Sequence, residues 1–414
     1  MPTQRFEPLP PVVQRFLRYV AIDTQAVEGV TEYPSSVKQK HLGQLLVEEL
    51  LELGLSDAVM DEWGCVTATL ERTEGTPGPV IGWIAHMDTS PEVTGANVMP
   101  MTHANYQGGP LRLTASMEIH PDDSPALNQC HGHDIITSDG STLLGADNKA
   151  GVAAIVSAVS HLLDHPELPH TTVRLAFTCD EEIGRGTLHF DVEGFGADFA
   201  YTVDGETVGE IENETFCADM VILTVKGRNV HPGYAKGKLV NALKAASAVV
   251  LGLPPDEAPE TTELRQGYLH PISVTGGVEE AEVKLLVRDF AESGLERLEQ
   301  ILQTVVAEAA ARFPGVVMES ELRQQYRNMR PLLEKRPEVV ELAMEAVRRA
   351  GGEPKLNFAR GGTDGAMLTF KGLPTPNIFT GGHNFHSKRE WISVQDLSFT
   401  VATLIELAQL ASES

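Results

Sequence analysis

Apolar and polar positions along the chain fall into blocks of two periods. Val13, Phe16, Leu17 and Val20 recur at helical spacing, Leu42, Leu45, Leu46 and Leu50 do the same, and both segments predict amphipathic helices on either side of a loop, VEGVTEYPSS. Around Cys65–Leu70 the period changes, and VTATL predicts a strand. After the turn-rich GTPGP comes Val80–Ala85, short, uncharged and rich in β-branched and aromatic residues, which predicts an interior strand covered on both faces. That run stops abruptly at His86 and Asp88, two positions that share one face of an extended chain. They stand at the strand's C-terminal end, the edge at which α/β sheets place ligands.

From Ser90 to Gly140 no period is visible, and Pro, Gly, Asn and His are frequent; so long a loop in a compact domain is usually functional. Its CHGH run, Cys130 to His133, reads as a solvated loop tip because no second ligand pair lies at zinc spacing. LLGADNKAG then leads into VAAIVSAVSHLL, a helix of small apolar residues with Asp147 at its N-terminus, where the backbone amides favour a carboxylate. Val173, Leu175 and Phe177 alternate in a strand that ends in Thr178-Cys-Asp-Glu-Glu-Ile-Gly184, whose adjacent Glu181 and Glu182 point in different directions. Another apolar stretch, Phe199–Val203, ends at Asp204. Taken singly, these are an N-cap, a solvated acidic turn and a strand end.

After Gly209 the texture changes. Val221, Leu223 and Val225 predict a strand, Lys238–Leu251 a helix, Tyr268–Val274 and Val283–Val287 two strands, Leu298, Ile301, Leu302 and Val305 a helix, and Val316–Leu322 a strand. That β-α-β-β-α-β order is ferredoxin-like and reads as an insertion. From about Tyr326 the alternation returns, with a helix at Pro337–Ala350, a strand at Asn377–Thr380 and a closing helix carrying Leu397, Val401, Leu404 and Ile405 on one face, which together should complete the first sheet. The expected fold is α/β: a mixed-sheet catalytic domain flanked by helices, with an inserted α+β ferredoxin-like lid domain. The expected boundaries are 1–210 and 325–414 for the catalytic domain and 211–324 for the lid, in keeping with 414 residues being long for one core.

Composition narrows the function. A net charge of −26, from 32 basic and 58 acidic residues, argues against nucleic acid as a partner. The four scattered cysteines contain no CxxC pair and make no zinc-finger or disulfide framework. No apolar stretch approaches the roughly 20 residues of a membrane span, and the N-terminus lacks a signal pattern, so a cytoplasmic protein with no membrane partner is expected. Together, the acids and histidines recur at strand and helix ends that converge on one sheet edge. Carboxylates and imidazoles without a thiolate suit Zn²⁺. His86, Asp147, Glu182, Asp204 and a histidine from the last segment would serve two ions, with Asp147 bridging and Glu181 left as general base.

AHMDTSPE, LLGADNKAG, TCDEEIGRG, VDG, NVHPGYAKG, RGGTDGA and NFHSKREW, in this order over nearly the whole chain, resemble the dizinc exopeptidase family that contains carboxypeptidase G and succinyl-diaminopimelate desuccinylase, and within it the tripeptide aminopeptidases. The resemblance implies two Zn²⁺ ions, one on His86 and Asp204, the other on Glu182 and His386, with Asp147 bridging. It implies that Asp88 orients His86 and Glu181 is the proton acceptor, leaves His383 outside the aligned pattern, and gives a cis Asp147–Asn148 peptide. For substrate it implies His231, Lys236 and Asn241 of the lid, with Arg288 and Arg360; a guanidinium gripping the terminal carboxylate would limit peptide length. His231 would stabilise the oxyanion as the lid closes. The implied activity is release of the N-terminal residue from tripeptides with a free N-terminus, by attack of zinc-activated water, in a chain that admits a homodimer. The rival readings are a dizinc deacylase or carboxypeptidase sharing the metal site and a noncatalytic peptide-binding protein, the latter disfavoured by the intact Glu181.

Overall fold

The structure, a computed structural model, describes residues 9–413. The first two predicted helices are Pro11–Val20, with proline at its first turn, and Gln39–Glu52. Their stripes bury Phe16, Tyr19, Leu42, Leu46 and Leu50 completely.

An eight-stranded mixed sheet forms the first unit's centre, in the order Val59–Met60, Val66–Leu70, Val173–Thr178, Ile81–His86, Phe199–Gly205, Asn377–Phe379, Glu210–Thr215 and Lys355–Ala359. Four neighbouring strands, Val173–Thr178, Ile81–His86, Phe199–Gly205 and Asn377–Phe379, run parallel, and Val66–Leu70 pairs antiparallel at their flank. Every residue of Ile81–His86 is buried, which is why it reads as an unbroken apolar run instead of an alternating one. The helix Ala146–Asp164 packs on strands Ile81–His86 and Phe199–Gly205. Its small residues permit that closeness, and at Gly151 they demand it: a Cβ there would lie 2.0 Å from the Val203 carbonyl oxygen. Because the four strands are parallel, their C-terminal ends share one edge, and from that edge issue His86, Glu181 and Glu182, Asp204 and the 380–386 loop.

The stretch 90–140 departs from expectation. Instead of an unstructured loop it holds Met101–His103 and Ile135–Thr137, which join Trp391–Ser393 and Gly382–His383 in a second, four-stranded sheet, and a hairpin of Leu111–Arg112 with Glu118–Ile119. Tyr106, Leu111, Leu113, Ile119, Leu127, Cys130, Ile135 and Trp391 form its own small core. Cys130, at 3% exposure, is therefore no solvated loop tip; within the CHGH run only His131 and Gly132 are exposed.

The second unit comprises Glu214–Asn328 with Ala359–Gly362, and the first comprises the residues up to Asn213, Met329–Phe358 and those from Thr363 onward. In chain order the second unit has strand Cys217–Lys226, helix Ala242–Gly252, strands Tyr268–Gly276 and Glu280–Asp289, helix Glu292–Arg312 and strand Val317–Tyr326. Its antiparallel sheet runs Tyr268–Gly276, Glu280–Asp289, Cys217–Lys226, Val317–Tyr326, with a core of residues such as Leu223, Val249, Leu285, Leu298 and Leu302. The first helix begins four residues later than its apolar pattern suggests, because the Asn241 Oδ1 accepts the Lys244 N–H at 3.0 Å and caps it.

Candidate metal centre

His86 closes its strand with a side chain only 2% exposed. Its Nδ1 faces the main-chain oxygen of Asp88 at 3.1 Å and the Asp88 carboxylate at 3.5 Å. The nearer partner is thus the carbonyl, which takes the Nδ1 proton and leaves Nε2 as the ligating nitrogen. The Asp88 carboxylate is occupied elsewhere, accepting the N–H groups of Glu181 at 3.2 Å and Glu182 at 3.1 Å. One aspartate therefore ties two strand ends together, a role the sequence reading did not give it.

From its Nε2 side, His86 meets Asp147 Oδ1 at 3.0 Å and Asp204 Oδ1 at 3.4 Å. The other oxygen of Asp147 meets His386 Nε2 at 3.2 Å, and His386 Nε2 meets Glu182 Oε2 at 2.7 Å. His86 with Asp204 and His386 with Glu182 are thus two candidate ligand pairs, and Asp147 turns one oxygen to each. The Asp147–Asn148 peptide is cis. Three ligand atoms, from His86, Asp147 and Glu182, lie within 4.8 Å of one another.

Surrounding loops fix this geometry. Asp180, at φ 62°, accepts hydrogen bonds from Ser35 and Gln39 and sets the turn into Glu181. Asp204 donates its N–H to Asn377 Oδ1 at 3.1 Å, and Asn377 donates to Glu212 at 2.7 Å. Glu390, fully enclosed, accepts three backbone N–H groups around Asp147: Leu144 at 2.7 Å, Gly145 at 2.9 Å and Asp147 itself at 3.0 Å. The buried Asp364 accepts from Thr178 at 2.8 Å. Neither Glu390 nor Asp364 stands out in the sequence; the one signal is that Glu390 is an acid in a polar loop four residues after His386.

The charges are strained in a way that calls for cations. Burial lowers the basicity of His86 and His386, but Asp204 and Asp147 raise His86 well above its ordinary range, and Asp147 and Glu182 bring His386 up to about 11. Burial raises Asp147, yet the two imidazoles hold it below the usual carboxylate range. Burial, with Asp147 beside it, pushes Glu182 up to about 8, and burial against the pull of His86 leaves Asp204 at about 6. Glu181 is driven well above its ordinary value, first by burial and then by Asp364, Asp204 and Glu182 against the pull of His86. Among the described residues, Glu182 Oε1 and Asp204 Oδ1 are buried with no hydrogen-bond partner. A buried acceptor left without a donor costs about 1–3 kcal/mol, a deficit that coordination would remove. The residues therefore fit a pair of divalent ions.

His231, Lys236, Asn241, Arg288 and Arg360 all belong to the second unit. His231 and Lys236 are exposed, and Asn241 caps its helix. Arg288 is buried in its strand, not a surface charge; its guanidinium lies over Tyr326 and donates to the carbonyls of Asp219 and Val287. Arg360 lies over Phe216 and Tyr268 and donates to Leu264 O at 2.7 Å and Thr262 Oγ1 at 3.1 Å. Among the ring histidines near the centre, His383 is separate: it stacks on Trp391, and burial lowers it to about 4.

The family model for Peptidase family M20/M25/M40 matches residues 144–410, well over half of the chain. A peptidase T from Bacillus subtilis (strain 168) is 45% identical over 400 residues, covering 96% of this chain and 98% of its own. Two solved structures share the fold: an aminopeptidase PepT from Bacillus cereus ATCC 10987, with TM-score 0.72 and 22% identity over 97% of this chain and 98% of that one, and a tripeptidase from Staphylococcus aureus, with TM-score 0.76 and 21% identity over 98% of each. With its ligand pairs converging on one sheet edge and this extent of likeness, the chain belongs to peptidase family M20/M25/M40.

Proposed function

We propose that this chain is a metalloaminopeptidase that releases the N-terminal residue of tripeptides, using two Zn²⁺ ions held by His86, Asp204, Glu182 and His386 with Asp147 between them. The observation that carries this reading is Asp147, whose two oxygens face two different imidazoles at 3.0 and 3.2 Å. When bound, such a metal pair acts as a Lewis acid on the scissile carbonyl and makes water a nucleophile near neutral pH.

The chain's own groups do the rest. Glu181, whose backbone is pinned by Asp88, has a carboxyl whose proton affinity is raised by burial; it takes the proton of the attacking water and hands it to the leaving amine. Asp88 keeps His86 in one tautomer through its carbonyl. In the second unit, which we assign as the lid, His231 Nδ1 accepts the Gly233 N–H at 3.1 Å, so its proton resides on Nε2, the donor an oxyanion needs. Lys236, Asn241, Arg288 and Arg360 supply the polar wall for the peptide's carboxylate end. No helix among the described residues is long and apolar enough to cross a membrane, in keeping with a cytoplasmic peptidase; a homodimer is part of the proposal.

The test is hydrolysis of a tripeptide of three different residues, free and N-acetylated, with chelator and with Zn²⁺ restored. Release of the first residue from the free peptide only, lost with chelator and recovered with Zn²⁺, is expected. Equal cleavage of the acetylated peptide would make the chain a deacylase, and release of the last residue a carboxypeptidase.

A further inference from the structure

Cys130, His133 and Asp396 meet at the start of the helix Val394–Ala411, 266 residues apart in sequence at their extremes. The pairing of Trp391–Ser393 with Ile135–Thr137 brings the two segments together. Cys130 ends the short helix Pro125–Gln129 inside the small core described above, and Asp396 sits in the first turn of the long helix, whose N-cap is Ser393. Asp396 Oδ1 lies 3.7 Å from His133 Nδ1, Asp396 Oδ2 lies 3.9 Å from Cys130 Sγ, and one donor atom from each residue falls within 4.8 Å of the others.

Bonds of about 2.0–2.3 Å at tetrahedral angles put zinc donors about 3.3–3.8 Å apart. Asp396 approaches His133 and Cys130 through different oxygens, so the three donor atoms, now within 4.8 Å of one another, would draw together around an ion. Ser393 Oγ accepts the Asp396 N–H at 3.1 Å and lies 2.9 Å from His133 Nδ1, so its own proton is directed to that nitrogen, and an ion would take the place of this proton on the Nδ1 lone pair. A thiolate and a carboxylate would neutralise a divalent ion, offsetting the unfavourable positive end of the helix dipole. We propose that Cys130, His133 and Asp396 form a further metal site, taking Zn²⁺, Co²⁺ or Cd²⁺ with water as fourth donor. The thiolate and imidazole select these ions over Mg²⁺ and Ca²⁺. Such an ion clips the Cys130–His133 turn to the last helix.

Burial, assisted by Asp396, pushes the Cys130 thiol up to about 12, so loading must release its proton to solvent, and affinity rises with pH. The site is spectroscopically separate from the dinuclear centre, whose five ligands include no cysteine. The experiment titrates chelator-stripped protein with Co²⁺ and reads thiolate-to-cobalt charge transfer in the near ultraviolet. The parent should show a saturable band with one proton released per thiolate-bound ion. Cys130→Ser should abolish the band and lower total metal by one equivalent while peptide hydrolysis by the Zn²⁺-loaded enzyme persists. Should Cys130→Ser fail to fold, His133→Gln, which keeps the thiol, should weaken the same band's midpoint at least about tenfold. Absence of a thiolate band in the parent at saturating Co²⁺, its survival in Cys130→Ser, or an unaltered midpoint in His133→Gln would each overturn the proposal.

Discussion

Glu390 offers a test of how the chain positions Asp147, the proposed bridging ligand. It stands four residues after His386 and reaches across to the Leu144–Asp147 turn, with Oε2 accepting two amides and Oε1 the Asp147 N–H. In Glu390→Gln the amide can keep its oxygen on Leu144 and Gly145 only by turning its NH₂ onto the Asp147 N–H. Two buried donors, the Asp147 N–H and the new NH₂, then face each other without an acceptor, a cost of about 1–3 kcal/mol each. Against this, burial opposed by the three amides leaves the parent carboxyl at about 7 instead of 4.5. Keeping it ionised above that pH costs about 3 kcal/mol, which the neutral amide avoids. The two effects oppose each other, so the unfolding free energy in chelator should fall by no more than about 3 kcal/mol. The metal should not be so indifferent: the facing donors displace the backbone of Asp147, and loss of an outer partner of a ligand weakens binding about 10- to 100-fold. Denaturant unfolding of the stripped protein and Zn²⁺ competition against a chromophoric chelator measure the two separately. Unaltered Zn²⁺ affinity would refute the positioning role, and so would a global destabilisation large enough to explain the loss of metal.

Glu181→Gln should retain the metal content of the parent and lose about 100- to 10,000-fold in kcat, measured on the same metal-assayed sample; near-normal turnover would remove Glu181 from the proton path. Gly151→Ala should destabilise by about 1–3 kcal/mol in denaturant unfolding, since its methyl meets the Val203 carbonyl, and should weaken metal binding because Val203 precedes Asp204. His383, which burial lowers to about 4 from the ordinary 6.5, contributes stability that is present above pH 6.5 and lost as pH falls toward 4. Between pH 7 and pH 5 the stripped parent should therefore lose about 2 kcal/mol more than His383→Phe; parallel stability profiles would show that the imbalance is absent.

The parts of the fold legible in sequence are those whose partners are regular. The four parallel strands are buried on both faces, so Ile81–His86 and Phe199–Gly205 announce themselves as apolar runs, and the acids that end them stand out by contrast. The α/β class with a β-α-β-β-α-β insertion follows from the same periodicity, and it is the fold found. What escaped is short or polar. Met101–His103 and Ile135–Thr137 are too brief to alternate, and their sheet is completed by Trp391–Ser393 from the far end of the chain. Glu210–Thr215 is hidden by its glutamates, of which Glu210 and Glu212 pair with Asn357 and Asn377. Cys130 looked solvated because much of the core that covers it, Trp391 above all, is distant in sequence. Short strands whose partners are remote have no local signature, and neither does a ligand cluster assembled across them.

The site's charges bear on how metal and proton compete. With no cation present, the imidazoles act as the counter-ions: His86 and His386 hold protons against Asp147, Asp204 and Glu182. His386 is raised to about 11, so the stability it lends the stripped protein is fully present below pH 6.5 and fades as pH climbs toward 11. Metal affinity must move in the opposite direction over that interval, because each ligating imidazole has to surrender its proton first. Where the ionic pairs are strongest, the carboxylates are already drawn together in the arrangement a cation would impose, and the surrounding bonds from Asp88, Asn377 and Glu390 keep the backbone there. The protons therefore serve as placeholders for the metals: they preserve the geometry of the stripped site and are displaced as it fills.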